Sequence, residues 1–238
     1  MKRLLVLLVV LLVALIAADR ILDRYGEQEL AAEIQRSEGL REQPDVSIAG
    51  FPLITQALRG RYERIDVRVT GLAPQSGVHI QWLDVALRGV HIPPGQLMQR
   101  RVNRAPVDRA TAVGHVTFAE LNTVAVAQLP SDQFAVRFAP AGADRIAVTG
   151  EFRSEVATAR IDGQAQLGVR DGGLSIRVLP ESLTAVPEVL RERVATALSV
   201  GLPLPPLPFG FRVTGVAVNS SGVTVTAEAQ DVVLSPNA

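Results

Sequence analysis

RYERIDVRVT, at residues 61–70, alternates apolar with polar side chains and decides the fold class. Ile65, Val67 and Val69 occupy every second position, and charged residues fill the positions between them. A β-strand places successive side chains on opposite faces, so this period of two is typical of a sheet with one buried face. The stretch therefore predicts a strand that packs one side against a core.

The same alternation recurs along the chain, at residues 134–138, 146–148 and 223–226. Between residues 78 and 90 the alternation changes phase, which predicts a β-bulge near Trp82 and Leu83 and a sharper curvature of the sheet. A long hairpin is expected over residues 156–178. Small residues on its first arm leave room for a helix or a ligand to approach closely.

Helical segments interrupt the strands at four places. Residues 19–40 form an amphipathic pattern broken at Gly26, and residues 53–59 predict a short second helix. Residues 117–128 begin with a capping box, and residues 187–200 carry an apolar stripe behind a proline. A long antiparallel sheet with a few helices against it predicts an α+β fold.

The N-terminal segment predicts export from the cytoplasm. Lys2 and Arg3 precede an uninterrupted apolar run over residues 4–18, which is typical of a signal peptide or a membrane anchor. A signal peptidase site needs small residues one and three positions before the cut, but cleavage after Ala18 leaves Ile16 at the earlier position. We therefore expect an uncleaved anchor, and cleavage is the open alternative.

The composition excludes several classes of function. The chain divides into residues 1–22, the signal peptide or anchor, and residues 23–238, one exported domain. Removing Lys2 and Arg3 from the 24 basic residues leaves 22 against 24 acidic ones, and so balanced a charge argues against a nucleic-acid partner. Cysteine is absent, so neither disulfides nor thiol chemistry contribute to the design.

No sequence motif for catalysis stands out. The three histidines are too scattered for a helical metal-ligand pair, and we expect no metal, no cofactor and no catalytic residue. A loop flanked by prolines gathers Arg100, Arg101, Arg104 and Arg109, which predicts a docking point for phosphate headgroups because arginine pairs bidentately with phosphate. Arg100, Arg101 and Arg104 are the expected headgroup residues. A solvated connector is the alternative interpretation of this loop.

Four stretches carry a resemblance, in the order GFPLITQALRGRYERIDVRV at 50–69, WLDVALRGVHIPP at 82–94, HVTFAELNTVA at 115–125 and LPFGFRVTGVAVNSSGVTVTAEAQDVVL at 207–234. Behind an N-terminal hydrophobic segment they resemble the DUF2993 family of actinobacterial envelope proteins, which includes an accessory protein for lipomannan elongation. The resemblance spans nearly the whole exported chain. It implies a periplasmic location, phospholipid binding and a fold like the tubular lipid-binding (TULIP) domains, in which a long curved sheet wraps a helix around an apolar cavity.

The residues and the resemblance together predict a lipid-binding module held at the outer, periplasmic face of the cytoplasmic membrane. A phospholipid or another membrane lipid is the expected ligand, and envelope glycosyltransferases that build glycolipids or lipoglycans are the expected partners. The apolar residues expected to line the cavity are Ile65, Val67, Val69, Leu83, Val85, Leu87, Phe134, Val136, Phe138, Val194, Leu198 and Phe209. Two alternatives stay open: a scaffold that binds a glycosyltransferase without a lipid cavity, and an enzyme in its own right.

Overall fold

The structure is a computed structural model that describes residues 26–32, 34–36, 42–72, 79–98, 104–127, 129–130, 132–142, 144–153, 158–170, 173–202 and 210–234. The predicted signal peptide or anchor at residues 1–22 lies outside the described residues, as do Arg100, Arg101 and Phe209. Within the described ranges, no helix combines the length and the apolar character that a membrane crossing requires. The predicted anchor and the domain boundary at residue 22 stay predictions.

The described residues form a fold dominated by strands. The strands are β1 (Asp45–Ala49), β2 (Arg61–Leu72), β3 (Ile80–His91), β4 (Ala105–Thr117), β5 (Phe134–Pro140), β6 (Arg145–Arg153), β7 (Thr158–Arg170), β8 (Gly173–Val178), β9 (Val200–Leu202), β10 (Arg212–Val218) and β11 (Gly222–Leu234). The helices are α1, described over residues 26–32 and 34–36, then α2 (Leu53–Arg59), α3 (Pro94–Met98), α4 (Phe118–Val126) and α5 (Glu188–Leu198), with a 3-10 turn at Pro180–Ser182.

The strands divide between two antiparallel sheets. The first sheet has six strands in the order β1-β2-β3-β4-β11-β10, and the second has five in the order β5-β6-β7-β8-β9. The α+β prediction is confirmed, and helix α2 occupies the predicted residues 53–59. The division of the strands into two sheets was not predicted, because it depends on which distant strands pair.

The first sheet is bent along one line that crosses four neighbouring strands. At this level each strand turns two consecutive residues away from the core: Glu63-Arg64, Arg88-Gly89, Asp108-Arg109 and Gln230-Asp231. The pairing skips one residue of each pair, and Gly89 and Asp231 have positive φ angles of 64° and 50°. Irregularities of this kind add local twist and bend, so their alignment gives the sheet its curvature.

A second change of phase lies in β3, in the region where the sequence predicts a bulge. The pairing of β2 with β3 skips Gly71 and Gln81. A Cβ placed on Gly114 would lie 3.6 Å from Leu83 Cδ1 and 3.8 Å from Ile80 Cγ2. Ile80 and Leu83 therefore approach the same side of the sheet although they are three residues apart, which requires the alternation to slip between them.

The protein has two hydrophobic cores, one for each sheet. In the core of the second sheet, side chains of its inner face pack against α4 and α5 and against Leu183, which follows the 3-10 turn. In the core of the first sheet, α1 and α2 cover one end of the sheet. The small residues of β7 are explained by this packing, because a Cβ on Gly163 would come within 2.8 Å of Leu183 Cδ2.

Helix α4 begins with half of the predicted capping box. The hydroxyl of Thr117 accepts a hydrogen bond from the backbone N–H of Glu120 at 3.3 Å. The carboxylate of Glu120 does not close the box. It accepts instead from the backbone N–H of His79 at 3.0 Å and lies 3.2 Å from His79 Nδ1. The helix start is therefore tied to the beginning of β3.

Asn122 fastens α4 to the edge of the second sheet. Its side-chain amide donates to the carbonyls of Phe138 and Phe118 at 2.9 and 2.7 Å, and its Oδ1 accepts from the N–H of Phe138 at 2.7 Å. Because β5 is an edge strand, the amide satisfies backbone groups that have no neighbouring strand on that side.

Replacing this amide tests its structural role. We expect Asn122→Ala to lower the free energy of unfolding by about 1–3 kcal/mol, because both backbone groups of Phe138 lose a partner in a half-buried position. The control is Thr123→Ala at the next, exposed position of α4, for which we expect a change within about 0.5 kcal/mol. Urea denaturation followed by circular dichroism measures both; equal effects would contradict the assignment.

Candidate functional site

One face of the first sheet is apolar, as the alternation at residues 61–70 predicts. Ile65 pairs with Leu87, Val67 with Val85, and Val69 with Leu83, across β2 and β3. Directly paired residues project from the same face of a sheet. The prediction that these six residues share one face is therefore confirmed; whether they line a lipid cavity stays a prediction.

The neighbouring strands β4 and β11 continue this face with small side chains. Val85 pairs with Ala112, which in turn pairs with Ala227, and Leu83 pairs with Gly114. Larger apolar side chains return at Val225 on β11, opposite Gly114, and at Val213 on the next strand, β10. Strands lie about 4.8 Å apart, so the two small-residue strands form the floor of a shallow trough between valine and leucine side chains.

Part of this face belongs to neither hydrophobic core, and we call this part the apolar strip. It consists of Val69, Leu83, Val85, Ala112, Gly114, Val213 and Ala227. It lies between the end covered by α1 and α2 and the end that joins the core of the second sheet. Leu83, Val85 and Ala112 are half-buried, whereas Val69, Val213 and Ala227 are buried, at 8%, 8% and 6% exposure. The strip thus offers accessible apolar surface on the inner side of a bent sheet.

The remaining predicted lining residues lie in the core of the second sheet. Phe134, Phe138, Val194 and Leu198 are buried there, with Leu198 fully inaccessible to solvent. Val136 on the same face is half-buried and borders a cleft of about 630 Å³ between α4 and β5. The structure therefore separates the predicted lining into two groups on different sheets, and the cavity role of this second group also stays a prediction.

The structure describes two of the four arginines that the sequence places in the predicted headgroup loop. Arg104 lies just before β4 and is exposed. Arg109 lies within β4, so its predicted place in the loop is wrong. Arg100 and Arg101 lie outside the described residues. The headgroup role of this loop therefore stays a prediction.

The opposite face of the first sheet is polar and carries a second concave surface, which sequence reasoning missed. A groove of about 600 Å³ runs across β1, β2, β3, β4 and β11 and is lined mainly by charged side chains. Arg68 and Asp84 form a bidentate ion pair there, with both N–O distances at 2.6 Å. The hydrogen bond from Arg68 lowers the pKa of the Asp84 carboxyl, which keeps it ionised.

A buried histidine occupies one end of the polar face. The ring of His115 stacks on Trp82 with centroids 5.4 Å apart and planes 8° apart. Its Nδ1 lies 3.3 Å from Thr224 Oγ1 and its Nε2 lies 3.2 Å from Ser221 Oγ. Burial lowers the pKa of the His115 ring, so the ring is neutral at pH 7 and both nitrogens are engaged by hydroxyls.

The other polar clusters have the character of structural pairs. His91 Nδ1 lies 3.8 Å from Asp108, whose carboxylate also accepts a hydrogen bond from Arg61 at 3.0 Å. In the described part of the chain, no group of three or more histidine, cysteine, aspartate or glutamate residues has a geometry that could hold a metal ion.

Comparison with known protein families gives a significant match. The sequence model of a family described as LmeA-like phospholipid-binding matches residues 17–228. No curated protein and no solved structure shows a significant match to the chain. The matched range includes both sheets up to Glu228 in β11, so it covers the apolar strip and the polar groove alike.

The buried His115 predicts a specific dependence of stability on pH. Its pKa in the folded protein lies below the ordinary value of 6.5, so the unfolded chain binds the extra proton first and stability falls as the pH drops below about 6.5. We expect the free energy of unfolding to decrease between about pH 6.5 and pH 5, with a slope of at most about 1.4 kcal/mol per pH unit.

Two histidine variants test whether His115 causes this dependence of the unfolding free energy on pH. His115→Gln should flatten it, while His91→Gln, at a half-exposed position, should leave it unchanged. Urea denaturation at a series of pH values measures the slopes. A slope that survives in His115→Gln would show that another group is responsible.

Proposed function

The chain belongs to the LmeA-like phospholipid-binding family, and from this membership we propose that it holds a phospholipid at the outer face of the cytoplasmic membrane. The observation that carries the proposal is the apolar strip, which offers half-buried leucine, valine and alanine side chains between the two cores. An acyl chain laid along the strip would be shielded from water on one side by the sheet.

The chemistry of the strip suits a hydrocarbon chain. Its lining residues present methyl and methylene groups, which attract an acyl chain without any directional requirement. Each methylene moved out of water contributes about 0.8 kcal/mol, so ten buried methylenes contribute about 8 kcal/mol before the costs of ordering are subtracted. Such a site binds tails in general, and discrimination among lipids has to come from polar groups near the headgroup.

The proposed location rests on the N-terminal sequence and on helix α1. The apolar run at residues 4–18 follows Lys2 and Arg3, an arrangement that holds an N-terminus inside while the remainder of the chain is exported. In α1, Ala31 is 4% exposed and belongs to the core of the first sheet. An anchor joined to a packed helix would keep the apolar strip close to the membrane surface.

The proposed role is presentation of lipid to envelope enzymes that build glycolipids or lipoglycans, with glycosyltransferases as the partners. This role follows from the resemblance to the DUF2993 family and from a binding surface that is open along the sheet. A scaffold that binds a glycosyltransferase directly is the alternative, and it differs in one respect that can be measured: a scaffold needs no bound lipid.

A leucine placed on the floor of the trough tests lipid binding. We expect the full-length chain, purified in a mild non-ionic detergent, to carry phospholipid when analysed by native mass spectrometry. Ala112→Leu should lower the bound fraction at least about fivefold, because the larger side chain occupies the space between Val85 and Val213.

The matched control is Thr226→Leu, at a position on β11 whose side chain faces the polar side. It should retain lipid as the unmodified protein does. Thermal unfolding of both variants separates a blocked trough from a damaged fold. An unmodified protein that carries no lipid and takes up neither phosphatidylinositol nor cardiolipin would remove the proposal and favour the scaffold.

The proposed location has its own test. Alkaline phosphatase, which is active only outside the cytoplasm, can be fused after Ala238. We expect an active fusion that stays with the membrane fraction after a high-salt wash. Deleting residues 4–18 should abolish the activity, because the chain would then remain in the cytoplasm. An active fusion found only in the soluble fraction would indicate cleavage rather than anchoring.

A further inference from the structure

Three arginines stand side by side across the polar face of the first sheet. Arg64 on β2 pairs with Arg88 on β3, and Arg88 pairs with Arg109 on β4. All three are exposed and lie on the wall of the polar groove. Directly paired residues have Cβ atoms about 5 Å apart, so three positive charges follow one another in a single row.

This row is only partly neutralised. Arg64 forms an ion pair with Asp66 at 2.8 Å. The guanidinium groups of Arg88 and Arg109 form no hydrogen bond or ion pair within the part of the chain that the structure describes. Like charges directly opposite each other destabilise a sheet, so the fold places two unpaired guanidinium groups where their own repulsion is unfavourable.

Two of the nearby carboxylates are engaged elsewhere. Asp84 is held by Arg68 in the bidentate pair, and Asp108 accepts from Arg61 at 3.0 Å. Glu228 lines the same groove, and within the described residues its carboxylate forms no hydrogen bond or ion pair. Arg88 and Arg109 are thus not neutralised by a direct ion pair and can each bind an anion from outside the chain.

The floor of the groove beside the row has small side chains at its centre and a carboxylate at each end. This next row across the sheet ends in Asp66 on β2 and Glu228 on β11. At its centre, Ala86 and Thr111 pair with each other directly. Both line the groove of about 600 Å³. A tetrahedral anion could rest on this floor, accept from both guanidinium groups and reach the Thr111 hydroxyl. Arginine forks match phosphate oxygens in geometry as well as in charge.

We propose that Arg88 and Arg109, assisted by Arg64 and Thr111, form a phosphate-binding site on the polar face of the first sheet. The site is separate from the apolar strip, because neighbouring residues such as Thr111 and Ala112 project from opposite faces of β4. The ligand is a phosphate group, carried by a lipid headgroup or by a small soluble phosphate.

Calorimetric titration of the full-length chain in a non-ionic detergent at low ionic strength tests the site. The probes are inorganic phosphate and the short-chain lipid dihexanoyl phosphatidylglycerol. We expect both to bind to the unmodified protein, and Arg88→Gln/Arg109→Gln to weaken the affinity at least about tenfold. The double variant should also unfold at a higher temperature than the unmodified protein when no phosphate is present, since the repulsion is removed.

The matched control is Arg170→Gln/Arg177→Gln, which removes the same charge from two exposed positions on the second sheet. It should keep the affinity of the unmodified protein. Equal losses in both double variants, or no phosphate-dependent heat in any protein, would overturn the site. A larger loss of affinity for the lipid than for inorganic phosphate in Arg88→Gln/Arg109→Gln assigns the ligand to headgroups, because the apolar strip is unchanged in this variant. The reverse assigns it to soluble phosphates.

The same variants distinguish this site from the proposed lipid function. If Arg88→Gln/Arg109→Gln still carries lipid in native mass spectrometry, that lipid is held by the apolar strip and not by the phosphate site. A protein can therefore lose phosphate binding and still carry lipid, or carry no lipid and still bind phosphate. Each result bears on one of the two proposals.

Discussion

The pairing of β4 with β11 joins residues 105–117 to residues 222–234, and both hydrophobic cores depend on it. Strand β11 contributes Val223 to the core of the second sheet and Ala229 and Val232 to the core of the first. Between these ends it supplies Ala227 to the apolar strip. A strand from the end of the chain therefore fixes the distance between the two cores, and the strip is the surface that this distance leaves uncovered by either core. The contacts that build the strip are mostly distant in sequence, so they form only when the whole sheet is assembled.

The two faces of the first sheet have opposite chemistry because of simple alternation along each strand. On β4, Ala110 and Ala112 face the inner side, while Arg109 and Thr111 face the groove. The bend along Glu63, Gly89, Asp108 and Asp231 affects both faces, because two consecutive residues turn outward at this level of each strand. These residues are polar except for Gly89, which has a positive φ angle. This bend lets Val90, Val107 and Val232 return to the core below it. The curvature that encloses the inner side therefore has its cause in polar residues on the outer side.

Local patterns predicted the local features. The period of two at Ile65, Val67 and Val69 and the short helix at 53–59 are properties of a few neighbouring residues, and both are confirmed. The row of arginines could not be predicted in this way, because Arg64, Arg88 and Arg109 meet only through strand register. Glu120 shows the same limit: the capping box is a local motif, but the backbone N–H of His79, just before β3, donates to the Glu120 carboxylate. Periodicity also cannot tell whether an apolar face packs on protein or on a ligand. For this reason the sequence predicts a cavity-lining role for both Phe138 and Val85, although Phe138 lies in a closed core and Val85 on the apolar strip.

The apolar strip and the closed core of the second sheet have different roles within one fold. The core of the second sheet is complete without a ligand, since Phe138 and Leu198 are already buried by protein. The strip leaves Leu83, Val85 and Ala112 half-buried, so the free energy of covering them is still available to a binding partner. Apolar contacts of this kind supply affinity with little selectivity, because methylene groups have no directional preference. Selectivity has to be added by charged and polar groups, and in this fold the unpaired guanidinium groups lie on the other side of the same sheet. The proposed tail binding and the proposed phosphate recognition thus belong to opposite faces of one six-stranded sheet, and substitution on either face can change one without the other.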